Sequence, residues 1–158
     1  MSLLEFFEWC ETTSVATVIK NSSWAFAVIE SVHLLGLALI GGAILILNLR
    51  LLGLGLRRHP VQELARDIRP WFTGSLIVML FTGVALFLSE ALKCYYSPAF
   101  WLKMVSLLLA VIFTVTIYRR IVMEEGTSYG PRWQKAAALV SLLLWSSVGA
   151  AGRWIGFS

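Results

Sequence analysis

The sequence predicts an all-α, polytopic membrane protein, a bundle of four transmembrane helices preceded by an N-terminal interfacial segment. Residues 1–158 form a single domain in this reading. Three observations carry it. Hydrophobic residues make up 58% of the chain and charged residues 14%, against about 45–50% and about 25% in soluble domains. Four stretches are each long and apolar enough to cross a bilayer, which takes about 20 residues. The basic residues cluster between those stretches, not within them.

The N-terminal stretch, "MSLLEFFEWCETT", combines Leu3, Leu4, Phe6, Phe7 and Trp9 with three glutamates. It has no early Lys or Arg, so it lacks the basic opening of a signal peptide and is expected as a partly helical segment at the membrane surface. The first span is expected at about 24–52, with no ionisable side chain between His33 and Arg50. The segment "HPVQELARDIRP" follows, where Val61, Leu64, Ala65 and Ile68 share one helical face. A short, separate amphipathic helix at the interface is expected there. The second span, about 71–92, is entered through Pro70, a residue suited to a first helical turn. The third, about 99–118, follows Pro98, and the fourth covers about 136–157.

Orientation follows from the loops. Arg50, Arg57, Arg58, Arg66 and Arg69 surround the first loop, and Arg119, Arg120, Arg132 and Lys135 the third. These are nine of the thirteen basic residues, whereas the N-terminal segment has Lys20 and the second loop Lys93. The two basic loops are expected in the cytoplasm, with both termini on the outer side. The net charge of +4 is then topological, and nucleic acid is not an expected partner. Trp9, Trp24, Trp101 and Trp154 fall at the outer interface, as an aromatic belt does.

Charged or titratable side chains inside spans are costly and mark functional sites. His33 lies about nine residues into the first span, roughly 13 Å deep at 1.5 Å per residue. Lys103 lies about five residues into the third span from the same side, Arg153 about four from the end of the fourth, and Glu90 closes the second. Glu30 is one turn above His33. The expectation is one polar site in the outer half of the bundle and no polar group in the inner half. Lys103 and Arg153 are also near enough to the surface to snorkel. Glu30 and Glu90 could equally serve as interfacial partners of Arg153, and His33 could simply hydrogen-bond a neighbour. His59, beside two arginines, is expected in solvent. Glycines at 36, 41, 42, 74, 83, 149 and 152 fit close helix packing and also fit room for a flat macrocycle.

An imidazole within an apolar four-helix bundle suits haem ligation. His33 and Lys103 are the expected axial ligands of the iron, the lysine through a neutral amine. Met79 and Met104 are weaker alternatives for the second position. Arg153 and Glu30 complete the cofactor-binding set, with Arg153 placed to pair with a propionate. There is no CxxC pair. Cys10 and Cys94 both fall on the outer side, where a disulfide could form.

"ESVHLLGLALIGGAILILNLRLLG", "PAFWLKMVSLLL" and the terminal "AGRWIGF" resemble a family of small bacterial four-helix membrane proteins over nearly the whole chain. The first-span histidine and the "WLK" opening of span three are also similar, more distantly, to HemJ-type protoporphyrinogen oxidases and to CopD copper-resistance membrane proteins. The HemJ resemblance implies b-type haem held by His33 and Lys103, with Arg50 matching an arginine at the end of the first helix. HemJ-like sequences carry a further histidine after that arginine, where this chain has "LLGLGL". CopD-like metal sites use further His or Met residues, and the methionines here are scattered, unlike the clustered soft ligands copper favours.

The expected function is that of a haem b-binding protein of the bacterial inner membrane, transferring electrons in the outer half of the bilayer. Its expected partners are the lipid bilayer and a quinone or redox partner protein, with a homo-oligomer left open. A HemJ-like porphyrinogen oxidase and a haem-free transport or assembly subunit, such as one handling copper, are the alternatives.

Overall fold

The computed structural model describes residues 2–55, 58–123 and 130–156. Arg57 of the first basic loop, and Phe157 at the expected end of span four, lie outside them. The described residues are helical or in turns: α1 (Leu3–Glu11), α2 (Ser14–Asn21), α3 (Ala25–Leu52), α4 (Val61–Ser89), α5 (Ala91–Tyr96) and α6 (Pro98–Phe113) come first. A π-helical turn (Thr114–Tyr118) continues α6 into α7 (Arg119–Met123), and α8 (Pro131–Ile155) ends the chain.

Four helices are long and apolar enough to cross a membrane, namely α3, α4, the α6–π–α7 rod and α8. Their outer surfaces fit a multi-pass membrane protein. Leu35, Phe81, Leu108 and Leu143 are all more than 60% exposed, which water would penalise and lipid does not.

The helices form an open square. α3 packs along α4 and α8, and α8 packs along α6. No extensive contact joins α4 to α6 among the described residues; that side is bridged by α7 packing on α4 at one end and by α1 and α5 at the other. α3 and α6 therefore stand on one diagonal, and α4 and α8 on the other. The end that gathers α1, α2, α5 and the close of α8 is called the terminal end below; the opposite one, with the two arginine-rich loops, is the basic end.

Close approach depends on glycine where α3 meets α4. A Cβ at Gly36 would stand 2.8 Å from the Met79 Cγ. α3 stops at Gly53, whose φ of +79° makes a left-handed cap, and Arg50 Nε then donates to the His59 carbonyl at 2.8 Å.

The amphipathic segment after Pro60 is not a separate helix. It runs unbroken into the second span as the first turns of α4, with Pro70 inside the helix. Proline there removes the amide that would bond the Arg66 carbonyl. The apolar face of Val61, Leu64, Ala65 and Ile68 packs into the basic-end core beside Leu47, Leu51 and Tyr118, and that burial holds the helix continuous.

The N-terminal segment forms a two-helix cap. Ser2 and Glu5 make a reciprocal capping box at α1, and Thr13 caps α2. Phe7 and Cys10 are buried with Ala91 and Cys94 of α5. Glu11 anchors the cap by accepting from Lys20 and, at 2.8 Å, from the Leu92 amide. Burial opposes its charge, but these two donors hold the carboxyl below its usual range. Cys10 and Cys94 share the cluster as free thiols.

Candidate functional site: a polar cavity at the terminal end

A cavity of about 310 Å³ lies at the terminal end, and all four expected cofactor-binding residues, Glu30, His33, Lys103 and Arg153, line it. Glu90, Lys93 and Cys94 line it as well. The cavity is thus bounded by α3, α4, α5, α6 and α8, with the aromatic pair Phe87 and Phe100 stacked at 5.6 Å in its wall. Phe7 of α1 meets Phe87 edge-on at 5.3 Å, so the N-terminal cap seals this wall.

His33 and Lys103 enter from opposite corners of the square, α3 and α6. The other diagonal makes room for them. At Gly83 of α4 a Cβ would come within 3.3 Å of the His33 Cε1, and at Gly152 of α8 a Cβ would meet the Lys103 Cε at 3.5 Å. Gly83 thus lets the imidazole lie against α4, and Gly152 lets the lysine stem lie against α8.

One arrangement of the hydrogen bonds here leaves a lone pair on the outward ring nitrogen. The Thr82 hydroxyl donates its single proton to the Val78 carbonyl at 2.7 Å. The same oxygen stands 2.8 Å from His33 Nδ1; with the hydroxyl proton on the Val78 carbonyl, Nδ1–H donates to it. Nε2 is left with its lone pair. Among the described residues Nε2 has no hydrogen-bond partner, and no fully buried side-chain nitrogen or oxygen lacks one; Nε2 therefore opens into the cavity. Imidazoles that ligate metals commonly hydrogen-bond through the other ring nitrogen, and the Thr82 hydroxyl stands at that position here. Lys103 Nζ likewise makes no hydrogen bond or ion pair among the described residues.

Of the two methionines considered, Met79 lines the cavity, whereas Met104 points outward at 44% exposure and drops out as an iron ligand. Among the described residues there is no cluster of three or more His, Cys, Asp or Glu side chains able to hold a metal ion. A macrocycle-bound iron needs no such cluster, because it takes only axial donors from the protein. An imidazole and an amine that line one cavity, with glycines beside both, are donors of the kind such an iron takes.

The expectation of a basic end free of polar groups is incorrect. Asn48 is wholly buried there and donates through Nδ2 to the Ser141 hydroxyl at 3.1 Å, while the Tyr118 hydroxyl donates to the Asn48 Oδ1 at 2.9 Å. Trp145 Nε1 donates to the Thr114 hydroxyl at 3.3 Å. Neutral groups satisfy one another between helices there. Sequence reading missed them because the partners of Asn48 lie 70 and 93 positions away. The lone Asn in "LILNLR" was the available signal. The contact of Thr82 with His33 and the place of Cys94 in the cavity were missed too, whereas Gly83 and Gly152, read as positions of close packing, serve as such.

No curated protein and no solved structure matches the chain. Residues 6–158, nearly the whole bundle and its cap, match a family of unknown function, DUF6644, and the chain belongs to that family.

Proposed function

We propose that the protein is a membrane-bound b-type haem protein that transfers electrons, with His33 and Lys103 as the residues that hold the iron. The observation that carries this reading is the pairing of an Nε2 lone pair, exposed by the Thr82 hydrogen bond, with an unengaged lysine amine on the diagonally opposite helix of one cavity. A haem in that position supplies one-electron chemistry between ferrous and ferric states. The chain's own contribution is to orient the imidazole through Thr82, to keep Lys103 within apolar helices, and to exclude water with the Phe7, Phe87 and Phe100 wall. Arg153 and Glu30, at the open edge of the cavity, are suited to the polar rim of a flat, otherwise apolar guest. A quinone or a redox protein would exchange electrons with it.

The distribution of arginine and lysine supports an orientation with both termini outside a bacterial inner membrane and the basic end in the cytoplasm. Alkaline phosphatase fused after Gly156 should then be active, and fused after Arg58 inactive. The reverse pattern would overturn this orientation.

A visible spectrum of the purified protein tests the haem reading directly. The expected result is a Soret band and reducible α and β bands, lost in His33→Ala. A colourless protein after expression with ample haem supply sinks the reading and leaves a haem-free transport or assembly role.

A further inference from the structure

A second cavity, of about 240 Å³, lies at the basic end. Nothing in the proposed redox role uses it. Ten residues, or about 15 Å along a helix, separate His33 from Ala43, which lines this second space. Between the two levels Ile40 and Ala110 are buried.

The walls are apolar and aromatic. Phe72 of α4 meets Trp145 of α8 edge-on at 5.6 Å, and both line the cavity. The opposite wall is the π-helical turn, in which the Arg119 amide bonds back to the Thr114 carbonyl, five residues earlier. Such wide turns occur mostly as local insertions and frequently at functional sites. Here the turn brings Thr114, Tyr118 and Arg119 to the same cavity. Residues of α3, α4, the α6–π–α7 rod and α8 all line the space. Val115, which lines it, is 59% exposed on the rod, so the space opens toward the acyl-chain region of a bilayer.

Among the described residues two cations border it and no carboxylate does. Arg69 comes from α4 and Arg119 from α7, and among the described residues neither makes a hydrogen bond or ion pair. Two guanidiniums on separate helices, at the rim of an apolar cleft open to lipid, match a guest with an anionic head and a hydrocarbon tail. Guanidinium suits a phosphate better than ammonium does, because its planar fork can bond two oxygens together.

We propose that this cavity is a binding site for one anionic phospholipid, its phosphate held by Arg69 and Arg119 and an acyl chain lying in the Phe72–Trp145 cleft. The charge complementarity and the lateral opening select this occupant, and neither depends on haem being bound. The lipid would join α4 to the α6–π–α7 rod beside the contact that α7 itself makes with α4.

Native mass spectrometry of the delipidated full-length protein, titrated with dioleoylphosphatidylglycerol or dioleoylphosphatidylcholine, tests the proposal. One phosphatidylglycerol per chain should be retained in preference to phosphatidylcholine. Combining Arg69→Gln with Arg119→Gln should weaken retention roughly 30-fold, from about 1 kcal/mol for each basic residue at an anionic membrane surface. Arg120→Gln, on the same helix but away from the cavity, should leave it unchanged. Val115→Phe, at an exposed position lining the cavity, should reduce retention of both lipids by occupying the chain's space. Equal retention of the two lipids, equal weakening by Arg120→Gln, or displacement of the lipid by excess inorganic phosphate alone would each overturn the proposal. Circular dichroism of every variant separates loss of the lipid from loss of the fold.

Discussion

The two ends of the bundle handle polarity in opposite ways. At the terminal end, His33, Lys103, Glu30, Glu90 and Arg153 come from four helices to one cavity, and the two deepest, His33 and Lys103, keep a nitrogen without a partner among the described residues. At the basic end, Asn48, Tyr118 and Ser141 are neutral, buried and mutually satisfied. Both groups are costly in a membrane, but only the second returns its cost as packing specificity, since each hydrogen bond closes between helices. Unspent donors and lone pairs in the first imply a guest. Closed bonds in the second imply structure, with binding capacity left only to the arginines at its rim.

The contrast breaks most visibly through Lys103. If His33 and Lys103 hold a haem as proposed, Lys103→Ala should leave it five-coordinate and high-spin with a shifted Soret band, since His33 alone would hold the iron. Lys103→Met should restore six-coordination with a higher midpoint potential. Lys103→Arg should fail to restore it, since a guanidinium remains charged and offers no lone pair. If Lys103 only snorkels to the surface, Lys103→Ala leaves the spectrum untouched and the site shrinks to His33.

Thr82→Val sharpens the same comparison at smaller scale. The isosteric change removes the acceptor of Nδ1–H and frees the ring to turn or change tautomer. Loss of such an outer-shell partner typically costs about 10–100-fold in affinity. Haem-transfer rates to apomyoglobin should rise accordingly while the fold, followed by circular dichroism, stays intact. Unchanged transfer would mean that the Thr82 contact satisfies the imidazole and does not position it.

At the basic end the readout should be stability. Asn48→Ala strands the Tyr118 hydroxyl without its acceptor, at a cost of about 1–3 kcal/mol. Thermal unfolding in detergent should move down, and the haem spectrum should not change. A spectral change in Asn48→Ala would show that the two ends are coupled through α3.

The difference also explains what was legible in the sequence. Four spans are visible because an apolar run of that length has few other uses. His33 and Lys103 stand out because ionisable residues are rare in such runs, and the depth arithmetic from loop positions was enough to bring them to one level. Pro70 misled, since its usual place is a first turn; what keeps α4 continuous is the packing of Leu64 and Ile68 against a core assembled from distant residues. Asn48 and Ser141 are neutral, common and far apart in sequence, so nothing local distinguishes a buried network from surface polarity. The π turn at Thr114–Tyr118 leaves no compositional trace either.

The smallest expected effect concerns Cys94, which borders the terminal-end cavity outside the spans. Burial, with Glu90 as a second cause, pushes its thiol up to about 11. Thiolate is the reactive form, so at pH 8 the native protein should alkylate with iodoacetamide far more slowly than a free cysteine, and the rate should climb as pH approaches 11. Glu90→Gln removes the secondary cause and leaves burial, so the rate at pH 8 should rise only by roughly two- to fivefold. Mass spectrometry of the labelled peptide gives the rate, with the thiol of the unfolded protein as reference. Adding haem should slow the reaction further if the guest fills the cavity that Cys94 lines. Labelling at the unfolded rate in the native protein would instead mean that the cap of α1 over α5 is open, and with it the sealed wall on which the contrast between the two ends depends.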